Sequence, residues 1–208
     1  DYLLARSSEL AAESLGLESV KLLASTYAQL VEGQTKEVQF SFDTNHGTDD
    51  YLKIIEGKTA SLIKTSAKLG AMASGCKQET ISSISKWAWH SGIIFQITDD
   101  ILDLSSDEKT LGKPSGNDII EGTYTLPVLI ALEKYPEKIN KILSDVSENK
   151  VGVNEVINEF NNDEIISESK LFLKTHLEKS ESAAKEIDNK TVRNILLDIN
   201  TYLIERSN

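Results

Sequence analysis

Three carboxylates lie close together in an otherwise apolar stretch of the sequence, "FQITDDILDLSS" (95–106). Asp99, Asp100 and Asp103 fall within roughly one and a third turns of a predicted helix. At about 100° per residue, Gln96, Asp99 and Asp103 form a polar stripe roughly 60° wide with Asp100 at its edge, and aliphatic side chains flank the stripe. A helix that is apolar except for one narrow acidic stripe is expected to be buried and to line a cavity.

The acidic stripe requires a compensating cation. Neighbouring carboxylates repel one another, and burying one without a partner costs several kcal/mol or forces its protonation. Oxygen ligands favour Mg²⁺ or Ca²⁺, and Mg²⁺ commonly takes one or two carboxylates while phosphate oxygens and water complete its octahedron. A Ca²⁺-binding loop starting at Asp103 is excluded, because Glu108 and Pro114 stand where it needs Gly and Glu. We therefore predict a Mg²⁺ site at Asp99, Asp100 and Asp103; an acidic helix end in water is the alternative, which the aliphatic flanks disfavour.

Two lysines are candidates for binding a phosphate group near that metal. Lys58 falls on the apolar face of a predicted helix, 49–74, next to Thr59. Alone, such a lysine commonly extends along the apolar surface to reach solvent, but beside an acidic metal stripe it indicates a phosphate-binding cation. Lys113 lies in the long loop 105–117 that follows the stripe. Loop lysines are usually just solvated, although long loops beside rigid helices often carry function.

Cysteine and histidine show no pattern of a site. Cys76 is the only cysteine, which excludes an internal disulfide and favours a reducing compartment. His46, His90 and His176 have no partner four residues away and no cysteine neighbour, so a zinc site has no support.

The charge and the lengths of the apolar runs exclude two classes of partner. The formal net charge is −11 and no run is rich in Lys or Arg, so we expect no nucleic-acid binding. The apolar runs are far shorter than the roughly 18 to 20 residues that span a bilayer, and the chain does not open on a signal-like segment. We expect a soluble, cytoplasmic protein without stable membrane insertion.

Apolar residues recur with a 3.6-residue period in nearly every long segment, which predicts an all-α chain. At 208 residues, one domain is expected over 1–208. The sequence after Tyr135 is more polar but keeps helical spacing, which indicates peripheral helices packed on the bundle. The predicted helices lie near 2–15, 18–42, 49–74, 78–104, 117–135, 136–147, 152–160, 163–188 and 190–206.

Three motifs in this order resemble those of the trans-isoprenyl diphosphate synthases, the polyprenyl synthetases. "FQITDDILD" (95–103) resembles the second aspartate-rich motif of that family, and "LGKPSGNDIIEGTYTLP" (111–127) resembles the segment that follows it. "IIEGKTASL" (54–62) resembles the family's lysine–threonine element. The resemblance runs along the whole chain and is weakest after Tyr135.

The resemblance implies an isoprenoid-synthase helical bundle, a homodimer and a Mg²⁺-dependent prenyltransferase reaction. In that reaction an allylic diphosphate ionises, the double bond of isopentenyl diphosphate attacks the allylic cation, and a proton is lost. Asp99 and Asp103 would bind metal with the assistance of Asp100, and Lys58 would act with Asp99 and Asp100 in the ionisation step. The residues implied to contact the substrate are Lys58, Thr59, Gln96, Lys113 and, through water, Asp118.

Two departures from the family pattern shape these expectations. The family carries a first aspartate-rich motif upstream of a segment like "DYLLARSSEL" (1–10), where this chain begins, so we expect a bundle that is incomplete at its N-terminal side and inactive alone. Thr123 stands where the family often has a lysine. A class I terpene cyclase and a non-catalytic partner subunit of a heteromeric prenyl synthase are the alternatives. Retention of the aspartates and of Lys58 and Lys113 favours the condensing enzyme.

Overall fold

The computed structural model describes residues 2–105 and 115–206, and within these ranges it contains helices and turns but no strand, as the apolar spacing predicts. A π-helical turn, Glu56–Ala60, connects the helices Thr48–Ile55 and Ser61–Ala73, and a 3-10 turn, Ile157–Glu159, follows the helix Val153–Val156. None of the described helices combines the length and the apolar character needed to cross a membrane. The helices are α1 (Tyr2–Leu15), α2 (Leu17–Gln39), α3 (Thr48–Ile55), α4 (Ser61–Ala73), α5 (Gln78–Ser105), α6 (Asn117–Ile120), α7 (Leu126–Lys134), α8 (Pro136–Ser147), α9 (Val153–Val156), α10 (Asp163–Lys185) and α11 (Lys190–Glu205).

Helix α5 is the centre of the bundle. Its isoleucines Ile93, Ile94, Ile97 and Ile101 are fully buried, and α4 and α10 pack along it. Each such side chain contributes roughly 1.5–3 kcal/mol through burial, so the acidic stripe is carried on a firmly packed helix. The metal-binding candidates therefore stand on a rigid support.

The π-turn lies where α2 crosses the junction of α3 and α4. Gly33 of α2 and Gly57 of the π-turn are in direct backbone contact. A Cβ on Gly33 would lie 2.8 Å from the backbone nitrogen of Lys58, and a Cβ on Gly57 would lie 2.7 Å from the Gln29 carbonyl oxygen. Only glycine fits at either position without separating the two segments. The predicted helix 49–74 is thus one continuous rod with a π-turn in its middle, and such turns are frequent at functional sites.

The prediction of one helix over 117–135 was wrong. Gly122 has a φ of 76°, a left-handed conformation that ends α6, and Pro127 lies in the first turn of the separate helix α7. The Phe42 backbone N–H donates to the Gly122 carbonyl at 2.9 Å, and the Phe42 ring packs against that glycine. The turn between α6 and α7 is therefore fastened to the segment that follows α2.

The region after Tyr135 packs on the bundle as predicted, but α10 is not peripheral, because it packs directly along α5. Its buried face includes Ser169, Ser180, Ala183 and Ala184. The Ser180 hydroxyl lies 2.9 Å from that of Ser91 on α5 and accepts from Asn200 Nδ2 at 3.0 Å on α11. Small side chains and hydrogen-bonded hydroxyls allow α10 to pack closely, although its sequence contains few large apolar residues.

Candidate active site

A cavity of about 230 Å³ lies between α2 with the segment that follows it, α3, the π-turn, α5, and α6 with the segment that joins it to α7. Phe40, Ile54 and Ile55 supply apolar walls, and polar side chains line the rest. Eight site residues were predicted from the sequence, and six of them line this cavity: Lys58, Thr59, Gln96, Asp99, Asp100 and Asp118.

The other two predicted residues are not brought into the described cavity. Asp103 is not part of its lining; its side chain is buried, with 4% of the residue exposed, and its carbonyl oxygen accepts from the Gly116 N–H at 3.0 Å. The turn at Ser115 and Gly116 therefore folds back onto the end of α5. Lys113 lies outside the described residues.

A chain of hydrogen bonds connects the π-turn to the acidic stripe. Thr59 Oγ1 donates to Gln96 Oε1 at 2.8 Å, and Gln96 Nε2 donates to Asp100 Oδ1 at 2.9 Å. The Tyr51 hydroxyl donates to the other oxygen of Asp100, Oδ2, at 2.5 Å. Both carboxylate oxygens of Asp100 are thus engaged, and the side chains of Thr59, Gln96 and Asp100 are fixed relative to one another.

Tyr51 is a site residue that the sequence did not reveal. It lies on the apolar face of α3, where tyrosine is expected for packing, and its partner Asp100 is 49 positions away. The signal available in the sequence was its place on the same helical face as Lys58, together with the need of a buried hydroxyl for an acceptor.

The Asp100 carboxyl has a strongly perturbed acidity. Its pKa is raised from 3.8 to about 7, and burial is the largest cause. The hydrogen bonds from Tyr51 and Gln96 lower this pKa, and the charges of Asp118 and Asp99 contribute to its rise. Burial and the Asp100 charge hold the pKa of Tyr51 well above its ordinary value, so the hydroxyl stays protonated and donates. A nearby cation would favour the ionised form of Asp100.

Asp99 is the carboxylate of the stripe that is open to the cavity. Its side chain is 48% exposed, and Arg206, just after α11, places its Nη2 3.7 Å from Asp99 Oδ1. The Arg206 guanidinium also lies over the Phe95 ring at 5.7 Å from its centre. The end of α11 thus reaches the mouth of the cavity beside Asp99.

Lys58 is paired across the cavity with Glu37 of α2. Its Nζ donates to Glu37 Oε2 at 2.5 Å, and the two side chains are 41% and 18% exposed. Glu37 was not recognised in the sequence because it lies 21 positions from Lys58 and looks like an ordinary acidic residue on a polar helix.

The oxygen donors of the cavity suit a metal ion whose remaining ligands are water and phosphate oxygens. No three His, Cys, Asp or Glu side chains in the described ranges converge as a ready metal cage. Asp99 is accessible, whereas the oxygens of neighbouring Asp100 already accept hydrogen bonds. Oxygen donors in this small number suit Mg²⁺, which typically binds one or two carboxylates and completes its shell with phosphate and water.

The family of the chain follows from its match to the polyprenyl synthetase family model, which covers residues 1–161. The chain belongs to the polyprenyl synthetase family. It is 42% identical to nonaprenyl diphosphate synthase of Mycobacterium tuberculosis over 134 residues, which are 64% of this chain and 40% of that protein. It is 32% identical to heptaprenyl diphosphate synthase component 2 of Geobacillus stearothermophilus, over 99% of this chain and 64% of that protein.

Solved structures of polyprenyl synthetases share the fold. A geranylgeranyl pyrophosphate synthase from Corynebacterium glutamicum, complexed with calcium and isoprenyl diphosphate, superposes with a TM-score of 0.84 at 29% identity. The match covers 99% of this chain and 64% of that one. The predicted isoprenoid-synthase helical bundle is thereby confirmed. The chain spans from 40% to 64% of the length of these three relatives.

Proposed function

We propose that the cavity binds an allylic diphosphate and promotes its ionisation in a trans-prenyltransferase reaction with isopentenyl diphosphate. The observation that carries this proposal is the convergence of Lys58, Thr59, Gln96, Asp99 and Asp100 on one cavity. These residues come from two separate sequence motifs, and each is of a type that binds metal or phosphate.

In the proposed reaction the bond between the allylic carbon and the diphosphate oxygen breaks, and the electron pair leaves with the diphosphate. The double bond of isopentenyl diphosphate then supplies the electrons of the new carbon–carbon bond, which leaves a cation on the isopentenyl unit. A neighbouring carbon loses a proton to the released diphosphate, and the electrons of that C–H bond form the new double bond. The lining residues Phe40, Ile54 and Ile55 support this assignment, because apolar walls limit the access of water to the allylic cation.

Mg²⁺ is the proposed cofactor, and it would supply positive charge that stabilises the departing diphosphate. Asp99 is its proposed ligand at the cavity surface, and Asp100 and Asp103 complete the acidic group that was predicted from the sequence. The Corynebacterium relative, which holds calcium together with isoprenyl diphosphate, supports a divalent cation in such a site. Asp118 is proposed to act through water.

Lys58 and Thr59 are proposed to hold the diphosphate. They are consecutive residues of the π-turn. The hydrogen bond from Thr59 to Gln96, which itself donates to Asp100, fixes the position of that turn relative to Asp100. Charged and hydroxyl donors placed before the reaction stabilise the developing charge without reorganisation. Lys113, outside the described residues, is proposed as a further phosphate contact.

A homodimer in the cytoplasm is the proposed state of the protein. A heteromeric synthase is a second candidate, favoured by the similarity to a relative named as component 2 of a heptaprenyl diphosphate synthase. Sedimentation of the purified chain alone would distinguish them: a stable dimer supports the first, and a monomer supports the second.

Thermal unfolding tests the proposed site. Mg²⁺ and pyrophosphate together should raise the melting temperature more than the sum of their separate effects, because each completes the coordination of the other. Ca²⁺ with sulfate serves as the control for unspecific ion effects. Equal shifts with the control pair, or purely additive shifts with Mg²⁺ and pyrophosphate, would contradict the proposal.

A further inference from the structure

Lys58 is the lysine best placed to bind phosphate in the described cavity, yet it already has a partner. Its Nζ lies 2.5 Å from Glu37 Oε2, a contact between opposite charges that is shorter than the roughly 2.7–2.9 Å typical of charge-assisted N–H···O hydrogen bonds. Glu37 is the less exposed partner, so part of this contact is shielded from water. A phosphate group that uses Lys58 has to compete with the Glu37 carboxylate.

The contact is built into the backbone. Gly33 and Gly57 allow α2 and the π-turn to touch, and Glu37 lies one helical turn after Gly33, on the same face of α2. The crossing therefore directs Glu37 toward Lys58, the residue after Gly57. The pairing of Glu37 with Lys58 is therefore set by the close backbone contact at the two glycines and not only by the flexibility of the two side chains.

The two phosphate-binding candidates of the π-turn are held by different walls of the cavity. Thr59 is bonded to Gln96 on α5, whereas Lys58 is bonded to Glu37 on α2. In this arrangement the lysine is bonded to α2 rather than to the helix that carries the acidic stripe.

The charge of the lining makes this pairing consequential. Lys58 is the one lysine or arginine among the described residues that line the cavity. A free diphosphate would meet repulsion from the acidic lining and a lysine that is already neutralised. A diphosphate complexed with a divalent cation lacks that repulsion and presents several phosphate oxygens to Lys58. The carboxylates of the described lining are Glu37, Asp99, Asp100, Asp118 and Glu121.

We propose that Glu37 is a selectivity residue, which occupies Lys58 until a metal-bound diphosphate displaces it and which thereby disfavours free diphosphate. This inference rests on the proposed function of the cavity as a diphosphate site. Glu37 acts through Lys58 and is a positioning residue.

Calorimetric titration of the full chain with pyrophosphate tests the proposal, once in EDTA and once in excess Mg²⁺. Glu37→Gln keeps the shape of the side chain and removes its charge. In EDTA the variant should bind pyrophosphate about five- to tenfold more tightly than the wild type, whereas in Mg²⁺ the two should agree within about threefold. The preference for metal-bound pyrophosphate therefore falls. An unchanged affinity in EDTA would overturn the proposal.

Two further variants separate the ion pair from general charge. Glu121→Gln removes the same charge from the same lining, but its carboxylate is bonded to Asn117 at 2.8 Å instead of to Lys58. Glu121→Gln relieves only part of the general repulsion, so it should tighten pyrophosphate binding in EDTA by less than about twofold and leave the affinity in Mg²⁺ unchanged. In a Lys58→Gln background, Glu37→Gln should change the affinity in EDTA by less than about twofold. If Glu121→Gln matches Glu37→Gln, or if the gain persists without Lys58, the proposal fails.

The outcomes also separate this inference from the proposed function. A wild-type chain that shows no Mg²⁺-dependent binding of pyrophosphate contradicts the diphosphate site itself. Normal Mg²⁺-dependent binding with no effect of Glu37→Gln in EDTA contradicts only the role of Glu37. Should Glu37→Gln fail to fold, Glu37→Asp withdraws the carboxylate from Lys58 and carries the same expectation.

Amine labelling followed by mass spectrometry adds a measurement that does not depend on binding. In the Glu37→Gln variant Lys58 is released, so its labelling should be at least about twofold higher than in the wild type. Lys53, which pairs with Asp50 at 3.0 Å elsewhere on the surface, is the internal reference. Unchanged relative labelling of Lys58 would show that Glu37 does not hold it.

Discussion

Asp99 and Asp100 are adjacent in sequence but differ in their surroundings. Asp99 is half-exposed at the cavity, whereas Asp100 is buried and accepts hydrogen bonds from Tyr51 and Gln96. One carboxylate is accessible to a metal, and the other organises the side chains around it. Substitutions at the two places should therefore have different consequences.

Asp99→Asn should impair the diphosphate site and spare the fold. The variant should lose most of the joint stabilisation by Mg²⁺ and pyrophosphate. Prenyl transfer, measured with radiolabelled isopentenyl diphosphate in an active assembly, should fall about 10²- to 10³-fold because charge stabilisation of the departing diphosphate is lost. Asp198→Asn, exposed on α11, is the control. Equal behaviour of the two variants would mean that Asp99 does not bind metal.

Tyr51→Phe should destabilise the protein in a pH-dependent way. The folded-state pKa of Asp100 is raised from 3.8 to about 7, so this group favours the fold at low pH, and that contribution is lost as the pH rises through this window. The Tyr51 hydrogen bond limits the loss because it favours the ionised form. Tyr51→Phe should therefore lower the free energy of unfolding in urea by about 1 kcal/mol at pH 5 and by about 2–3 kcal/mol at pH 8.5.

The matched control for Tyr51→Phe is Tyr135→Phe. The Tyr135 hydroxyl donates to Glu164 at 2.6 Å, but this pair is exposed. Its loss should change the free energy of unfolding by less than about 0.5 kcal/mol at either pH. An effect of Tyr51→Phe that is small and independent of pH would contradict the role given to this hydrogen bond.

At the scale of the elements, the crossing of α2 over the π-turn sets the shape of the cavity wall. Gly57→Ala would place a methyl group 2.7 Å from the Gln29 carbonyl oxygen, so α2 must move away from Lys58. We expect a loss of about 1–3 kcal/mol in the free energy of unfolding, together with weaker stabilisation by Mg²⁺ and pyrophosphate.

Gly70→Ala provides the comparison for Gly57→Ala. Gly70 lies inside α4, and a Cβ there would have no atom within 4 Å. The variant should gain up to about 1 kcal/mol from helix propensity and respond normally to Mg²⁺ and pyrophosphate. A Gly57→Ala variant that behaves like Gly70→Ala would show that the crossing tolerates a side chain.

Local spacing and distant pairing explain which features the sequence could reveal. The acidic stripe of α5 was predictable because Gln96, Asp99 and Asp100 lie within five consecutive positions of one helix. The pairs Tyr51–Asp100 and Lys58–Glu37 join different helices across 49 and 21 positions, and no periodicity encodes them. The buried face of α10 was missed for a related reason, since Ser180 on that face is satisfied by partners on α5 and α11.

At the scale of the whole molecule, the packing of α10 on α5 brings together two histidines that are 86 positions apart. His90 Nδ1 and His176 Nδ1 lie 3.1 Å from each other, so one ring donates to the other. The pKa of both histidines is lowered, that of His176 to about 4, and burial is the largest cause for each. The charge of His90 contributes at His176, and the charge of Lys179 contributes at both. The central interface of the bundle thus holds imidazoles that resist protonation.

This pair should weaken the fold in mild acid. An unfolded histidine binds a proton near pH 6.5, whereas folded His176 does so only near pH 4, so stability is lost as the pH falls through that window. Asp100 acts in the opposite direction, and the test is therefore a difference between variants. When the pH is lowered from 7 to 5, the free energy of unfolding in urea should become about 1 kcal/mol more favourable to His176→Gln relative to the wild type. Thr175→Gln, an exposed neighbour, should follow the wild type; parallel curves for all three would contradict the role of the pair.

The contact between Arg206 and Asp99 has a practical consequence for any study of the purified protein. Arg206 lies directly after α11, beside the carboxylate that is proposed to bind metal. A polyhistidine tag inserted directly after Arg206 would add imidazole ligands next to the cavity and would compete for divalent cations in every titration. A tag placed ahead of α1 avoids this interference, so the choice of cloning vector determines whether metal binding reports the protein or its label.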